Sequence, residues 1–335
     1  MAVVWHIAYS FELYQRPYSL SLRYLPHAQL DLSAWDTCVA AATEPVPYAY
    51  SWWLAATAGR WDAVVEIDET SGAYLSVFPL PIKRRPWGRE VYQPPFTQQL
   101  GLLTTAGSRQ RNVLDYLTLI KGRFARFYLQ LHTGQELASA PAGFQLKERY
   151  TYQLSLAPHY PALLAGFEAD YRRRLRRNQE QPQPLAVTSA AAADELITLF
   201  QTEATGAAAG LKPQEYERLK KLLGALKTRG LGQVLEVRAP QSGALLAGAV
   251  FVTHPHRLIY LFAAASAAGR QAGAPLLLLN YIIQHHAGTR GLLLDFEGGM
   301  IPSIARFFAN FGAAAVPYAA LTQTRNPWYL SWLMR

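Results

Sequence analysis

The order of hydrophobic and polar positions predicts strands and helices that alternate through most of the chain. Apolar and polar residues alternate over 19–25, which predicts a strand, and a helical spacing over 31–42 begins at Asp31 or Ser33 as the cap. The other predicted elements of the first half are an aromatic helix over 47–58, a hairpin of strands over 61–68 and 72–82, a loop over 89–103, a helix over 109–124, and strands over 126–132 and 144–156.

The second half repeats a similar order of elements. Its predicted elements are a basic helix over 163–179, a strand over 185–188, helices over 192–205 and 213–229, strands over 232–239 and 244–254, and a last strand over 318–324. Residues 257–312 predict an apolar strand, a Gly/Ala turn, an amphipathic helix, a second apolar strand ending in two carboxylates, and a second helix. Two copies of one α/β unit, with mixed sheets, are the simplest interpretation.

Length and composition agree with two globular domains. The chain has 335 residues, of which 50% are hydrophobic and 16% are charged. We expect domains over 1–157 and 158–335, with the basic helix 163–179 at their junction. The longest apolar runs fall short of the roughly 20 residues that cross a bilayer, and the N-terminus lacks the pattern of a signal peptide. The single cysteine, Cys38, excludes a disulfide framework and a Cys-rich metal site, so we expect a cytoplasmic protein.

A formal charge of +9 favours acidic partners. A phosphorylated cofactor, a nucleotide-linked substrate, tRNA or an anionic membrane surface all fit, but a GC-rich genome that prefers arginine explains the same excess without a partner. Five arginines within 172–177 surround the basic helix. We expect Arg173 and Arg177 to contact phosphate groups of a substrate, and a solvated linker helix is the alternative.

The strongest candidate chemistry lies in the strand–turn–helix–strand unit of 257–312. Asp295 and Glu297 end a buried strand, where open α/β sheets place their reactive groups. Because Phe296 separates them, both side chains should face the same side of that strand. They are the candidate general bases, and the alternatives are binding of a cationic amine or a structural role as a helix cap or a partner of Arg306. No metal site is predicted, because His254 and His256 lack further ligands at suitable spacing.

A loop in the first half combines aromatic and amide side chains in a way that predicts a binding wall. The paired prolines of 89–103 exclude a central strand there. Together with Trp52 of the aromatic helix, the candidate substrate-binding residues of this loop are Tyr92, Gln93, Phe96, Gln98 and Gln99. A packed, irregular sheet edge is the alternative interpretation.

Four motifs carry a resemblance to a known family. They are YRRRLRRN at 171–178, RQAGA at 270–274, LDFEGG at 294–299 and the pair of phenylalanines Phe307 and Phe311 before Gly312. Together they resemble the GNAT acyltransferase superfamily, and more closely the Fem-type peptidoglycan aminoacyltransferases, which pair two GNAT-like domains. Segments 47–54 and 92–101 are also similar to N-terminal parts of that group.

The resemblance implies a tandem GNAT fold with the acceptor side in the first domain and the acyl-donor side in the second. It identifies the acyl-donor loop with Arg270, Gln271, Ala272, Gly273 and Ala274. The donor stays open between acyl-CoA and aminoacyl-tRNA. The implied activity is transfer of an acyl or aminoacyl group to an amine of a polar acceptor, such as a peptidoglycan precursor. The alternatives are a CoA-dependent N-acetyltransferase of a small molecule and an inactive binding protein with the same fold.

Overall fold

The computed structural model describes residues 21–203 and 210–324, in which one mixed sheet runs through the whole molecule. Its strands in the described part are β1 Ser21–Leu25, β2 Trp61–Ile67, β3 Tyr74–Arg85, β4 Gly88–Val91, β5 Leu103–Thr104, β6 Arg126–Gln130, β7 Gln145–Ser155, β8 Val187–Ala190, β9 Gly232–Arg238, β10 Leu245–His254, β11 Arg257–Ala265, β12 Leu293–Asp295 and β13 Ala314–Thr324. Their order across the sheet is β1-β2-β3-β4-β6-β13-β7-β12-β11-β10-β9-β8, and β5 pairs with β3 outside that path.

Helices cover both halves of the sheet. Within the described residues they are α1 Leu32–Ala40, α2 Ser51–Thr57, α3 Val113–Leu119, α4 Tyr160–Ala165, α5 Ala169–Gln179, α6 Asp194–Thr202, α7 Pro213–Thr228, α8 Ala267–Ala272, α9 Ala274–His286 and α10 Pro302–Ala309. Single 3₁₀ turns at His27–Gln29 and Pro47–Ala49 precede α1 and α2. Across the described ranges, no helix is both long and apolar enough to cross a membrane.

Strands of the two halves interleave at the centre of the sheet. The last strand, β13, pairs antiparallel with β6 on one side and with β7 on the other. β7 also pairs with β12, so every ladder that it forms is with a strand of the second half. The predicted boundary at 157/158 therefore follows a strand that lies in the sheet of the second half, and the division of the chain into 1–157 and 158–335 stays a prediction.

Most elements lie where the hydrophobic pattern predicts them, and the prediction of a mixed α/β fold is confirmed. Asp31 caps α1 by accepting hydrogen bonds from the backbone N–H groups of Ser33 and Ala34. The helix predicted over 163–179 is wrong as one element, because α4 ends at Ala165 and α5 begins at Ala169. The helix predicted over 109–124 contains only α3. Residues 19–20 and 204–205 of two other predictions lie outside the described residues.

Two groups of buried side chains hold the layers together. The first contains three fully buried tryptophans, Trp35, Trp53 and Trp61, and extends under α6 and α7. The second lies between the sheet of the second half and α9, whose residues Leu276–Leu279 are all buried. Burying an aliphatic side chain of this size contributes about 1.5–3 kcal/mol. The packing of α9 therefore fixes its N-terminus firmly beside the end of β11.

Candidate active site

The central parallel strands separate and leave a cleft between them. β11 and β12 pair only over Arg257–Ile259 and Leu293–Asp295, so the strands diverge from Tyr260 and Phe296 onward. β11 also carries a β-bulge, because Tyr260 lies opposite Phe251 and Phe262 lies opposite Val250. Leu261 is the extra residue of that bulge and has no counterpart in the ladder with β10. The divergence leaves room for a ligand between the two strands.

The first cavity occupies this cleft and has a volume of about 600 Å³. One wall is β11 from Tyr260 to Ala265, and the other is formed by the N-terminal turn of α9 and by α10. Arg174, Arg270 and Glu203 contribute its charged groups, together with Glu297. The rest of the lining is mainly apolar, and such a cavity suits a ligand that is largely apolar.

The second cavity lies between the two halves of the chain and has a volume of about 490 Å³. The first half lines it with Gln93, Phe96 and Gln98 from the predicted loop and with polar side chains of β6. The second half lines it with residues 297–301 and with Tyr318 of β13. Its surface is thus more polar than that of the first cavity.

The two cavities meet at Glu297. Leu261, Glu297, Gly298 and Ile304 line both of them. Among these four residues only Glu297 carries an ionisable side chain. A group held in the first cavity and a group held in the second therefore approach each other beside the Glu297 carboxyl.

The environment of Glu297 alters its acidity and its backbone. Burial raises the pKa of Glu297 to about 8, although the hydrogen bond from Tyr48 opposes that shift. Tyr48 is fully buried and donates its hydroxyl to Oε1 of Glu297. Glu297 also has a φ of 56°, in the left-handed region that non-glycine residues rarely adopt. Backbone strain and a raised pKa at one position are typical of functional sites.

Asp295 has a different surrounding from Glu297. It is fully buried and lines neither cavity. Its Oδ1 accepts hydrogen bonds from Thr151 Oγ1 at 2.6 Å and from the backbone N–H of Glu297 at 3.0 Å. Its Oδ2 accepts from Gln153 Nε2 at 2.9 Å and from Arg257 at 3.1 Å. Both oxygens of Asp295 are thus engaged. The strand alternation that would place Asp295 and Glu297 on the same side does not extend to Glu297, because β12 ends at Asp295 and the backbone of Glu297 is left-handed. A catalytic role for Asp295 stays a prediction.

The predicted acyl-donor loop is not an open turn. Residues 267–272 form the short helix α8, and Gly273, with a φ of 80°, joins it directly to α9. Arg270 and Gly273 line the first cavity, whereas Gln271, Ala272 and Ala274 do not, and Ala274 is fully buried. Arg270 also forms an ion pair with Glu203 at 3.0 Å. The segment therefore presents a cation and a helix N-terminus to the cavity instead of a row of free amides.

Gly269 has a packing role that the sequence did not indicate. A Cβ at this position would overlap the backbone carbonyl of Leu246 in β10, which cannot move without disturbing the sheet. We expect Gly269→Ala to lower the free energy of unfolding by about 3 kcal/mol. Gly224→Ala in α7 is the matched control, because nothing lies within 4 Å of its Cβ and alanine favours a helix. Equal melting temperatures for the two variants in calorimetry would contradict this packing.

The basic helix contributes one arginine to the site, and it is neither of those predicted. Arg173 and Arg177 are exposed, and Arg173 pairs with Asp170. Arg174 is half-buried, lines the first cavity and donates to the carbonyl of Arg270 at 3.4 Å. Arg173 and Arg177 therefore lie outside the first cavity, and their contact with phosphate groups stays a prediction.

The predicted substrate-binding residues of the loop 89–103 do not all line the second cavity. Gln93, Phe96 and Gln98 line the second cavity, but Tyr92 and Gln99 are buried outside it. Trp52 also lies outside both cavities, where it stacks on Tyr50. Gln93 accepts from the backbone N–H of Gln130 and donates to the carbonyl of Thr97, which fixes its amide. These bonds make the loop a rigid wall.

Three residues of the site escaped the sequence analysis: Tyr48, Arg149 and Arg174. Tyr48 lies far along the chain from Glu297, and Arg149 lies within a strand of ordinary alternation. The helical period of α5 offered the one usable signal, since Arg174 lies one turn after Tyr171 and next to Leu175 on its buried side. Across 21–203 and 210–324, no group of three or more His, Cys, Asp or Glu side chains is placed to hold a metal ion.

Comparisons with known proteins agree with this fold. Residues 165–300 match the family model described as an acetyltransferase (GNAT) domain. The fold is similar to the crystal structure of FemX, with a TM-score of 0.63 and 12% identity over 91% of this chain and 98% of that one. It is also similar to a tandem GNAT protein from the clavulanic acid biosynthesis pathway, with a TM-score of 0.52 and 14% identity over 92% and 99%. A conserved protein of unknown function from Bacteroides thetaiotaomicron VPI-5482 gives a TM-score of 0.55 and 12% identity over 91% and 100%. A search of curated proteins finds no sequence match.

Proposed function

We propose that this chain, a Fem-like tandem GNAT protein, transfers an acyl group from a thioester in the first cavity to an amine in the second. The observation that carries the proposal is the position of Glu297, which among the described residues is the one ionisable side chain shared by the two cavities. A carboxylate with a pKa of about 8 is a suitable general base near neutral pH for an amine that must lose a proton before it attacks.

The reaction follows from the positions of the groups. The amine nitrogen attacks the acyl carbon, and the Glu297 carboxylate accepts the proton that the nitrogen loses. The tetrahedral intermediate then expels the thiolate and leaves an amide. The N–H of Leu261, displaced from the regular ladder by the bulge, is the proposed donor to the oxyanion, because it lies on the strand that lines both cavities.

The charge at the first cavity favours acyl-CoA as the donor. Arg174 and Arg270 lie beside the N-terminus of α9, where a phosphate gains both ion pairing and the helix dipole. The apolar wall of β11 suits the pantetheine arm. Aminoacyl-tRNA is the alternative donor, and the basic surface of α5 supports it less directly because Arg173 and Arg177 face away from the cavity. The relation to a cell-envelope acceptor stays a prediction.

An activity assay tests the proposal directly. Purified protein is mixed with acetyl-CoA or longer acyl-CoAs and a panel of amines, and released thiol and acylated amine are quantified. Formation of equal amounts of both products supports the proposal. If product forms with charged tRNA and not with any acyl-CoA, the donor is aminoacyl-tRNA. If ligands bind but no donor gives turnover, the chain is better described as an inactive binding protein.

The phosphate contact can be tested by shortening the donor. We expect Arg174→Ala to raise KM for acetyl-CoA about 10- to 100-fold, because a charge-assisted contact is worth about 1.5–3 kcal/mol. S-acetyl-N-acetylcysteamine, which has no phosphates, should show an unchanged KM. Arg270→Ala should have a smaller effect, since Glu203 already pairs with Arg270. Arg173→Ala is the matched control on the same helix, and an equal rise in KM for both thioesters would contradict a phosphate contact.

A further inference from the structure

We infer that the acceptor is an amine that also carries a carboxylate, such as an amino acid or a short peptide, and that Arg149 binds that carboxylate. This inference rests on the proposed function, since it names the class of molecule that receives the acyl group. It depends on the second cavity, which both halves of the chain line. Arg149 provides its cation and Glu297 provides its carboxyl.

Arg149 is the single lysine or arginine among the described residues that line the second cavity. It lies on β7 opposite Tyr318 of β13, and it is half-buried. Its Nε donates to the hydroxyl of Tyr318 at 3.2 Å. This bond fixes the plane of the guanidinium at the wall of the cavity.

The outer edge of the Arg149 guanidinium has no partner within 21–203 and 210–324. The Nη atoms donate to no acceptor in these ranges, and no carboxylate lies within 4.0 Å. Most other partly buried arginines in the structure have a carboxylate, as Arg257 has Asp295 at 3.1 Å and Arg238 has Glu236 at 2.8 Å. Two parallel N–H donors of a fixed guanidinium match a carboxylate in a bidentate arrangement.

The polar groups around Arg149 are already ordered by one another. Tyr318 donates to Oε1 of Gln130 at 3.0 Å, and Nε2 of Gln130 donates to the Tyr128 hydroxyl at 2.9 Å. Because these side chains satisfy one another, they do not compete for the Nη atoms. A network of this kind holds Arg149 ready for a ligand without reorganisation.

The charges of the cavity suit a zwitterion. When Glu297 is ionised, the cavity has a negative group next to the reaction centre and a positive group on its first-half side. An acceptor with an ammonium group and a carboxylate matches both charges, and neither is left unpaired on binding. A volume of about 490 Å³ lies within the range of pockets for small molecules, which suits an amino acid derivative or a short peptide.

Matched acceptors test the inference with acetyl-CoA as the donor. Lysine, dipeptides and their C-terminal amides are compared with the decarboxylated amine cadaverine. We expect kcat/KM to be about 10- to 100-fold higher for the carboxylate forms, mainly through KM. Arg149→Ala should reduce kcat/KM for the carboxylate forms to the level of the amides, and Arg149→Lys should restore part of the preference.

The controls separate this inference from the proposed function. Lys147→Ala removes an exposed charge two residues earlier on the same strand and should keep the preference. If circular dichroism shows that Arg149→Ala does not fold, Arg149→Gln is used in its place. Transfer to amides and carboxylates at equal rates overturns the inference and leaves the acyltransferase in place. With no transfer at all the proposed function fails, and calorimetric binding of the same acceptor pairs then decides the inference: equal affinity for acid and amide overturns it.

Discussion

Glu297→Gln is expected to lower kcat for acyl transfer by about 10²- to 10⁴-fold while the protein remains folded. Glutamine keeps the shape of the side chain and can still accept the hydroxyl hydrogen of Tyr48. It cannot accept a proton from the attacking amine. Steady-state assays with saturating acetyl-CoA measure the loss, and KM for acetyl-CoA should change little because the thioester binds mainly to other residues of the first cavity.

The dependence on pH identifies the proton acceptor. Since burial raises the pKa of Glu297 to about 8, the reactive carboxylate is scarce at pH 6 and predominates above pH 8. We expect kcat/KM to rise with pH and to level off above about 8. In Glu297→Gln this rise of kcat/KM with pH should disappear from the residual activity. Any rise that reflects deprotonation of the acceptor amine should remain. A limb that persists unchanged in the variant would assign the proton transfer to another group.

The same carboxyl lowers the stability of the folded protein in alkaline solution. The ordinary pKa of a glutamate carboxyl, which applies to the unfolded chain, is 4.5, and the pKa of Glu297 in the folded protein is about 8. The folded state therefore binds the proton more tightly. Stability should therefore fall as the pH rises from about 4.5 to about 8 and then level off. Replacement by glutamine removes this slope, so the variant should gain melting temperature relative to the wild type between pH 6 and 8. The stabilising substitution is thus expected to be the inactivating one.

The sequence indicated the candidate site but not the different surroundings of its two carboxyl groups, Asp295 and Glu297. The LDFEGG motif at the end of an apolar strand indicated 294–299 as the candidate site, and Glu297 of this motif lines both cavities. The period of a strand then predicted that Asp295 and Glu297 are equivalent. That period applies only while the strand continues, and the backbone at Glu297 turns into the left-handed region.

Long-range partners explain the remaining differences. Tyr48 reaches Glu297 across 249 positions of sequence, and no local pattern encodes such a contact. The insertion of β13 between β6 and β7 is equally non-local, because the hydrophobic pattern of a strand specifies its buried face and not its neighbours. Arg174 differs from its neighbours by its place on the helix, which becomes meaningful only once α9 is packed beside it.

Asp295→Ala is expected to lower the free energy of unfolding by about 3–5 kcal/mol, which is the largest loss of stability that we predict. The substitution leaves Arg257 without its carboxylate, although its side chain is only 14% exposed. It also leaves the buried hydroxyl of Thr151 and the backbone N–H of Glu297 without an acceptor. Chemical denaturation monitored by tryptophan fluorescence measures the loss.

The effect on activity distinguishes a positioning role for Asp295 from a catalytic one. Asp295→Asn keeps the shape but only one acceptor oxygen, so it should retain more stability than the alanine variant. It should lower activity because one oxygen cannot satisfy both pairs of donors, which weakens the hold on the backbone of Glu297. Its remaining activity should still rise with pH, because Glu297 is still the base, but the rise should move to lower pH because the Asp295 charge contributes to the raised pKa of Glu297. Asp170→Ala, which removes an exposed partner of Arg173, is the control and should cost at most about 1 kcal/mol. If the rise of kcat/KM with pH vanishes in Asp295→Asn and persists in Glu297→Gln, the roles assigned here are reversed. Asp295 is then the proton acceptor, and Glu297 is not.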